Sequence, residues 1–188
     1  GEELKKTGEL PPDFDRLPSV PWLPDPLVLE ADGKPVPVRT ADDWAKKRAQ
    51  LLEQFHHYVF GSVPPPPGNV RPRSVKEREE KGARAYEVDL EFGPEHRATL
   101  SLEVFVPAGE GPFPVFLTQH THRAWALQAL SRGYAACVYA GADSKDNTAR
   151  FVEEWPEYDW TKLARRAFGA SRAIDYRETL PFIDNTKI

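Results

Sequence analysis

The chain has 188 residues, of which 40% are hydrophobic and 29% charged, proportions typical of a soluble globular protein with one domain. Its formal net charge of −4 provides no basic surface field, which excludes nucleic acid as a class of partner. No apolar run approaches the ~20 residues that cross a bilayer. The single cysteine, Cys137, excludes an internal disulfide framework, and its apolar neighbours predict a small buried side chain.

Proline dominates the first segment, residues 1–39. Its prolines are too closely spaced for a helix and favour an extended arm. They are Pro11, Pro12, Pro18, Pro21, Pro24, Pro26, Pro35 and Pro37. Apolar residues accompany them at Trp22, Leu23, Leu27, Val28 and Leu29. We therefore predict a Pro-rich arm that packs on a body formed by residues 40–188.

A helix is predicted directly after the arm. Thr40 is its expected N-cap, and Asp43 completes a capping box three residues later. Apolar side chains then recur every three or four residues, with the Arg48 stem lying along them. They are Trp44, Leu51, Leu52, Phe55, Tyr58 and Val59. Gly61 ends the predicted helix, and the prolines of 64–67 prevent it from resuming.

Two alternating runs, 86–92 and 98–106, predict an antiparallel hairpin around Gly93-Pro94-Glu95-His96. The pattern then changes to the continuous apolar runs 115–117 and 135–139, which are typical of parallel strands covered on both faces. A helical pattern over 122–132, closed by Gly133, joins these two runs. We therefore predict a right-handed βαβ unit.

A long acidic loop is predicted over 141–158, and Trp155 and Trp160 at its border are candidates for stacking on a sugar or for anchoring the loop. A second helix follows, closed by Leu180-Pro181. Its predicted apolar stripe consists of Trp160, Leu163, Ala164, Ala167, Phe168, Ser171 and Ile174. The start of another strand is predicted at 184–188. This order of elements predicts the α/β class.

Several motifs resemble those of a known family. They are Leu23-Pro24-Asp25-Pro26, the Asp43-Trp44-x-x-x-Arg48 helix ending in Tyr58-x-Phe60-Gly61, Arg132-Gly133-Tyr134, and the run 167–176. These stretches resemble bacterial relatives of the glucuronoyl esterases (carbohydrate esterase family 15) and neighbouring acetyl-xylan-esterase-like hydrolases. The resemblance implies a three-layer α/β-hydrolase fold, of which this chain contains only the N-terminal portion. In such proteins the next strand leads into the Gly-x-Ser-Arg-x-Gly-Lys nucleophile turn, so the whole catalytic triad is expected outside this chain.

The turn after the first parallel strand is the predicted contribution of this chain to an active site. In α/β hydrolases this loop supplies one backbone N–H of the oxyanion hole. Matching the strand ends assigns that donor to His120, with Gln119, Thr121 and His122 lining the substrate. A loop that merely caps the next helix through Thr121 is the structural alternative. The glucuronoyl esterases carry an Asn- and Gly-containing loop here, so the His-x-His turn departs from their pattern.

Asp143 follows the second parallel strand, where open α/β sheets gather ligands. It is a candidate for contacting substrate or orienting a catalytic group, and a role in holding the turn is the alternative.

Two motifs suggest other chemistry. Gly169-Ala170-Ser171-Arg172-Ala173 is close to Gly-x-Ser-x-Gly but lacks a preceding strand, so Ser171 is interpreted as a buried helix residue bonded to the preceding turn. His120-x-His122 begins like the zinc motif of β-lactamase-type metallo-hydrolases, but the aspartate and third histidine of that motif are missing. No metal is therefore predicted, and a metal-dependent hydrolase using His120 and His122 is the lesser alternative.

The resemblance implies a serine-type carboxylic ester hydrolase that acts on plant cell-wall carbohydrate esters, lies outside the cytoplasm and needs no cofactor. This chain alone is expected to be inactive. Because half a sheet would expose an apolar strand edge, a C-terminal half is expected to complete it, either as a second polypeptide or as a further segment. A non-catalytic binding or structural subunit is the alternative function.

Overall fold

The computed structural model describes residues 13–19 and 23–186. The chain forms two compact units, residues 1–52 and residues 53–188. The strands are β1 (Val28–Ala31), β2 (Lys34–Pro37), β3 (Arg71–Glu80), β4 (Ala83–Phe92), β5 (Ala98–Val106), β6 (Val115–Gln119), β7 (Ala135–Tyr139), β8 (Gly141–Ala142) and β9 (Lys145–Asp146). The helices are α1 (Ala41–Phe55), α2 (Arg123–Leu130), α3 (Phe151–Glu154) and α4 (Lys162–Arg177). None of the helices in the described ranges is long and apolar enough to span a membrane.

In the first unit, the predicted extended arm contains a 3-10 turn, Phe14–Arg16, and a hairpin of β1 and β2. Gln50 of α1 holds the hairpin, because its side-chain amide donates to the Glu30 carbonyl (2.6 Å) and accepts from the Glu30 N–H (3.2 Å). Among the predicted anchors, Leu29 is buried, whereas Leu23 and Leu27 are exposed. Trp22, Pro11, Pro12 and Pro21 lie outside the described residues. Docking of the arm stays a prediction.

Helix α1 begins with the predicted capping box. The Asp43 N–H donates to Thr40 Oγ1 (3.1 Å), and the Thr40 N–H donates to Asp43 Oδ2 (3.1 Å). After Phe55 the chain makes one π-helical turn, His56–Phe60, which ends at Gly61 with φ +73°. The predicted apolar stripe is not buried. Its exposed members are Trp44, Leu52, Phe55, Tyr58 and Val59.

A five-stranded mixed sheet with the order β3-β4-β5-β7-β6 dominates the second unit. The predicted hairpin is confirmed as β4 and β5, which pair antiparallel with Val88 opposite Leu102. The predicted βαβ unit is confirmed as β6, α2 and β7, because β6 and β7 are parallel neighbours with Leu117 opposite Cys137. Cys137 is a buried thiol, and burial raises its pKa to about 12. The two parallel strands, β6 and β7, are the ones that the predicted site residues follow.

Strand β3 was not predicted; its residues are mostly charged and exposed. Its charges are held in a network on one side of the sheet. Arg123 Nη2 donates to Glu80 (2.6 Å) and Glu103 (2.8 Å), and Arg78 Nη2 donates to Glu103 (2.7 Å). Both guanidinium groups lie over the buried ring of Phe105, 5.1 Å away for Arg123 and 5.7 Å for Arg78. The network ties the beginning of α2 to β3 and β5.

Glu80→Gln is expected to lower the free energy of unfolding at neutral pH by about 1 kcal/mol, because the network is partly solvated. Hydrogen bonds from Arg123 and then Arg78 lower the pKa of Glu80 from 4.5 to about 2. Since the folded-state pKa is depressed, this stabilisation is complete above the unfolded-state pKa and is lost as pH falls from about 4.5 towards 2. Urea unfolding of both proteins should therefore differ at neutral pH and converge in acid. Glu79→Gln, on the same strand, is the control and should change little at either pH.

The segment 141–158 is not the loop that was predicted. It contains the β8–β9 hairpin, a 3-10 turn (Thr148–Arg150) and α3. Phe151 and Trp155 are buried against Phe92, with ring centroids 5.5 and 6.3 Å from it. Trp160 packs on Phe168 at 5.2 Å. Trp155 and Trp160 are thus core residues, since the aromatic rings cover one another rather than facing solvent.

Helix α4 buries only part of the predicted apolar stripe. Ala164 and Phe168 are buried as predicted, but Leu163 and Ser171 are exposed, and Ala173, outside the stripe, is buried. The buried face includes Gly169, which approaches Thr148 so closely that a Cβ at this position would lie 2.9 Å from Thr148 Cγ2. Ser171 Oγ donates to the Ala167 carbonyl (3.2 Å) as predicted, but the prediction that Ser171 is buried is wrong.

Strand β6 forms one edge of the sheet. Beside its beginning, Ile183 makes a parallel bridge with Phe113: the Phe113 N–H donates to the Phe182 carbonyl and the Asp184 N–H donates to the Phe113 carbonyl, both at 2.8 Å. Within the described residues, the outer edge of Val115–Gln119 has no further strand beside it. Part of the predicted next strand, Lys187 and Ile188, lies outside the described residues. The chain thus approaches the sheet beside β6 in the parallel sense.

Candidate active site

The carboxyl ends of β6 and β7 lie side by side, because Gln119 pairs with Tyr139 at the last position of both strands. A 3-10 turn, His120–His122, follows β6, and the β8–β9 hairpin follows β7 almost at once. The sheet therefore brings the predicted site residues on these two segments to one edge. This edge is where parallel α/β sheets bind ligands.

Side chains join the two segments directly. His120 Nδ1 lies 2.9 Å from Ser144 Oγ, and Thr121 Oγ1 lies 3.0 Å from the same oxygen. Ser144 was not singled out from the sequence. Its only signal is its place in the Gly-Ala-Asp-Ser turn that follows a buried strand. Recognising it would have required knowing which residue of the next turn faces His120.

The first backbone N–H groups of the His120–His122 turn have no partner within the turn itself. The first intrahelical bond is that from the Arg123 N–H to the His120 carbonyl, so the N–H groups of His120, Thr121 and His122 have no partner within the helix. Helix α2, which follows the turn, has no side-chain hydrogen bond at its N-cap, so the alternative role of Thr121 as its cap is not observed. Such N–H groups can stabilise an anionic oxygen. The oxyanion role of His120 stays a prediction.

His122 and Gln119 form a second small group. Gln119 Nε2 lies 3.5 Å from His122 Nδ1, and the His122 ring stacks on Trp125 with centroids 4.3 Å apart and an interplanar angle of 6°. Trp125 is exposed and was not identified from the sequence. Among the described residues, no group of three or more His, Cys, Asp or Glu side chains is arranged to hold a metal ion.

Asp143 is held by cations. Its Oδ1 accepts from Arg166 Nη2 (2.5 Å) and Lys162 Nζ (2.9 Å), and these bonds lower the pKa of Asp143 to about 2. Arg166 Nε also donates to Asp146 Oδ2 (2.9 Å). Burial acts to raise the pKa of Asp146, but hydrogen bonds from Thr148 and Arg166 lower it overall. Asp143 is exposed, so this geometry holds the hairpin to α4 and leaves the carboxylate ionised at the edge of the site.

No protein-family model and no curated protein matches the chain. Solved structures do match it. A promiscuous esterase of carbohydrate esterase family 15 from a marine bacterial metagenome is 23% identical with a TM-score of 0.69, over 93% of this chain and 57% of that one. A glucuronoyl esterase of the same family from Teredinibacter turnerae T7901 is 20% identical with a TM-score of 0.61, over 86% and 48%. A candidate acetyl xylan esterase from Bacteroides fragilis NCTC 9343 is 16% identical with a TM-score of 0.53, over 78% and 46%.

These comparisons establish the fold. The chain spans about half the length of the structures that it matches. Its mixed five-stranded sheet with helices is an α/β architecture, and its structural neighbours are esterases of the α/β-hydrolase type. The predicted fold class, an α/β-hydrolase fold of which this chain spans a part, is therefore confirmed.

Proposed function

We propose that this chain is the N-terminal part of a serine-type carboxylic ester hydrolase that acts on plant cell-wall carbohydrate esters. One observation carries the proposal: the polar edge formed by His120, Thr121 and Ser144 lies at the end of β6, whose outer side has no strand beside it among residues 13–19 and 23–186. The likeness to carbohydrate esterases supports the reaction class. An extracytoplasmic location rests on that likeness alone.

The mechanism assigns the oxyanion side of the reaction to this chain. A serine from the completing segment attacks the ester carbonyl, while a histidine takes its proton and returns it to the departing alcohol. Water then hydrolyses the acyl-enzyme. The His120 N–H stabilises the oxyanion, and Gln119, Thr121, His122 and Asp143 line the substrate. This chemistry requires no cofactor.

The proposed partner is a C-terminal half, present as a second polypeptide or as a further segment. The bridge between Phe113 and Ile183 sets the parallel direction in which a new strand would extend along β6. An unpaired strand edge promotes aggregation, so the completing strand should also keep the protein soluble. Recovery of a folded, monodisperse 188-residue monomer alone would contradict this partner and would favour a non-catalytic binding subunit.

The first experiment is a denaturing mass spectrum of the purified protein, followed by labelling with a fluorophosphonate probe. We expect either a second species beside the 21.3 kDa chain or a single chain heavier than 21.3 kDa. The probe should label only the sequence outside these 188 residues. Hydrolysis of nitrophenyl acetate and of a methyl glucuronate ester then tests the substrate class. Absence of both labelling and ester hydrolysis in a completed, folded protein would refute the esterase proposal.

A pair of substitutions at His120 separates its backbone from its side chain. His120→Pro removes the N–H, and proline is tolerated at the first position of a helix. His120→Ala keeps the N–H. If the backbone donates to the oxyanion, kcat of His120→Pro should lie a further factor of about 100 below that of His120→Ala. Equal kcat values for the two variants would remove the oxyanion role from the backbone of His120.

A further inference from the structure

Ser144 occupies a turn whose position is fixed from several sides. It follows Asp143 in the two-residue connection of the β8–β9 hairpin. The Asn147 N–H donates to the Ala140 carbonyl (2.8 Å), and Asn147 Oδ1 accepts from the Ser101 N–H (2.9 Å). The Arg166 bonds to Asp143 and Asp146 hold the other side. The Ser144 hydroxyl is thus presented to His120 by a hairpin that is anchored to β5, to Ala140 directly after β7, and to α4.

Two hydroxyl groups and one imidazole form a short chain of hydrogen bonds, from Thr121 Oγ1 to Ser144 Oγ to His120 Nδ1. For a neutral ring, Nδ1 either accepts the single proton of the Ser144 hydroxyl or donates its own proton to the Ser144 oxygen. An unprotonated ring nitrogen is a more basic acceptor than a hydroxyl oxygen. The stronger arrangement therefore has Thr121 donating to Ser144 and Ser144 donating to Nδ1.

The direction of these hydrogen bonds determines whether the other ring nitrogen of His120, Nε2, carries the proton. When Nδ1 accepts, the neutral imidazole carries its proton on Nε2. The His120 ring is half-buried, and its Nε2 makes no hydrogen bond to the described part of the chain. The free Nε2–H is therefore a donor at the carboxyl edge of β6, on the residue whose backbone N–H is the proposed oxyanion donor.

We propose that Ser144 is a positioning residue: with Thr121 it holds the His120 side chain as the Nε2–H tautomer, which then donates a hydrogen bond to the carbonyl oxygen of a bound ester. The role toward the ester rests on the proposed function, whereas the tautomer is a property of this chain alone. A preorganised donor of this kind is effective because it need not reorient as charge develops.

The test is a long-range proton–nitrogen NMR spectrum of the ¹⁵N-labelled purified protein, recorded well above the ordinary histidine pKa of about 6.5. His120→Gln assigns the signal. We expect a protonated Nε2 and an accepting Nδ1 in the wild type, and a mixture of the two tautomers in Ser144→Ala. Ser144→Thr keeps a hydroxyl and should restore much of the wild-type pattern. Ser171→Ala, an exposed serine far along α4, is the control and should leave the His120 signal unchanged.

Two spectroscopic results would overturn the proposal: a protonated Nδ1 in the wild type, or a His120 signal that Ser144→Ala does not alter. In the completed esterase, Ser144→Ala should lower kcat about tenfold and change KM less than about twofold. An unchanged kcat would also refute the role toward the ester. Covalent labelling of Ser144 by the fluorophosphonate would overturn positioning in favour of a nucleophile. The expected tautomer in a protein without esterase activity would refute the proposed function but leave the positioning of His120 intact.

Discussion

Gly61→Ala is expected to lower the free energy of unfolding of the 53–188 unit by about 4 kcal/mol or more, enough to prevent folding of a marginal domain. Gly61 ends the π-helical turn with φ +73° and bridges Trp160. A Cβ here would lie 1.7 Å from the Asp159 carbonyl oxygen. That oxygen cannot easily move, because it accepts from the Ser62 N–H at 3.0 Å. The clash is therefore with backbone rather than with a flexible side chain.

Gly82→Ala is the matched control, measured beside Gly61→Ala by chemical denaturation. Gly82 also has a positive φ, +77°, but nothing lies within 4 Å of the position of an added Cβ. Gly82→Ala should lower the free energy of unfolding only by the strain of the left-handed backbone conformation, about 1–2 kcal/mol. If the two variants lost equal stability, close packing of Gly61 against the 159–160 backbone would be refuted.

Phe151→Ala is expected to cost about 3–5 kcal/mol, the usual range for removing a buried aromatic ring. The ring is 1% exposed, and its centroid lies 5.5 Å from Phe92, 6.0 Å from Trp155 and 6.1 Å from Phe168. Losing it would leave a cavity in the middle of the aromatic cluster. The free energy of unfolding from denaturant titration and the near-ultraviolet circular dichroism should both fall.

Val152→Ala distinguishes core packing from a local effect on α3. Val152 is the next residue of the same helix and is 42% exposed. Val152→Ala should lower the free energy of unfolding by less than about 1 kcal/mol. A small loss for Phe151→Ala, similar to that for Val152→Ala, would mean that the segment 141–158 is a surface loop after all.

Local patterns in the sequence were sufficient for several elements. The capping box at Thr40 and Asp43 needs only residues three apart, and its reciprocal bonds are present. Alternation predicted β4 and β5, and continuous apolar runs predicted the parallel pair β6 and β7. The sequence also placed the His120 turn and Asp143 each at the end of a parallel strand, and the pairing of β6 with β7 brings these ends to the same edge.

Contacts between residues far apart in the chain could not be predicted from local patterns. Strand β3 is charged and exposed, so its sequence has no apolar alternation; it becomes a strand because β4 offers it hydrogen bonds and Arg123 neutralises its Glu80. Phe151 is a core residue because it packs on Phe92, which lies 59 positions earlier in the chain. The acidic residues around Phe151 give no indication of so distant a partner.

The sequence by itself determined the α/β class, the succession of β4, β5, β6 and β7 along the chain and the strand-end location of the candidate site, because each follows from the burial pattern of neighbouring residues. Only the tertiary structure decided which face of α4 is buried, that the α1 stripe is exposed, and that Ser144 meets His120. The physical reason is that the spacing of apolar residues predicts which positions of one helix or strand face a core. It does not predict which residues of other elements they contact, because those contacts depend on how the elements pack together.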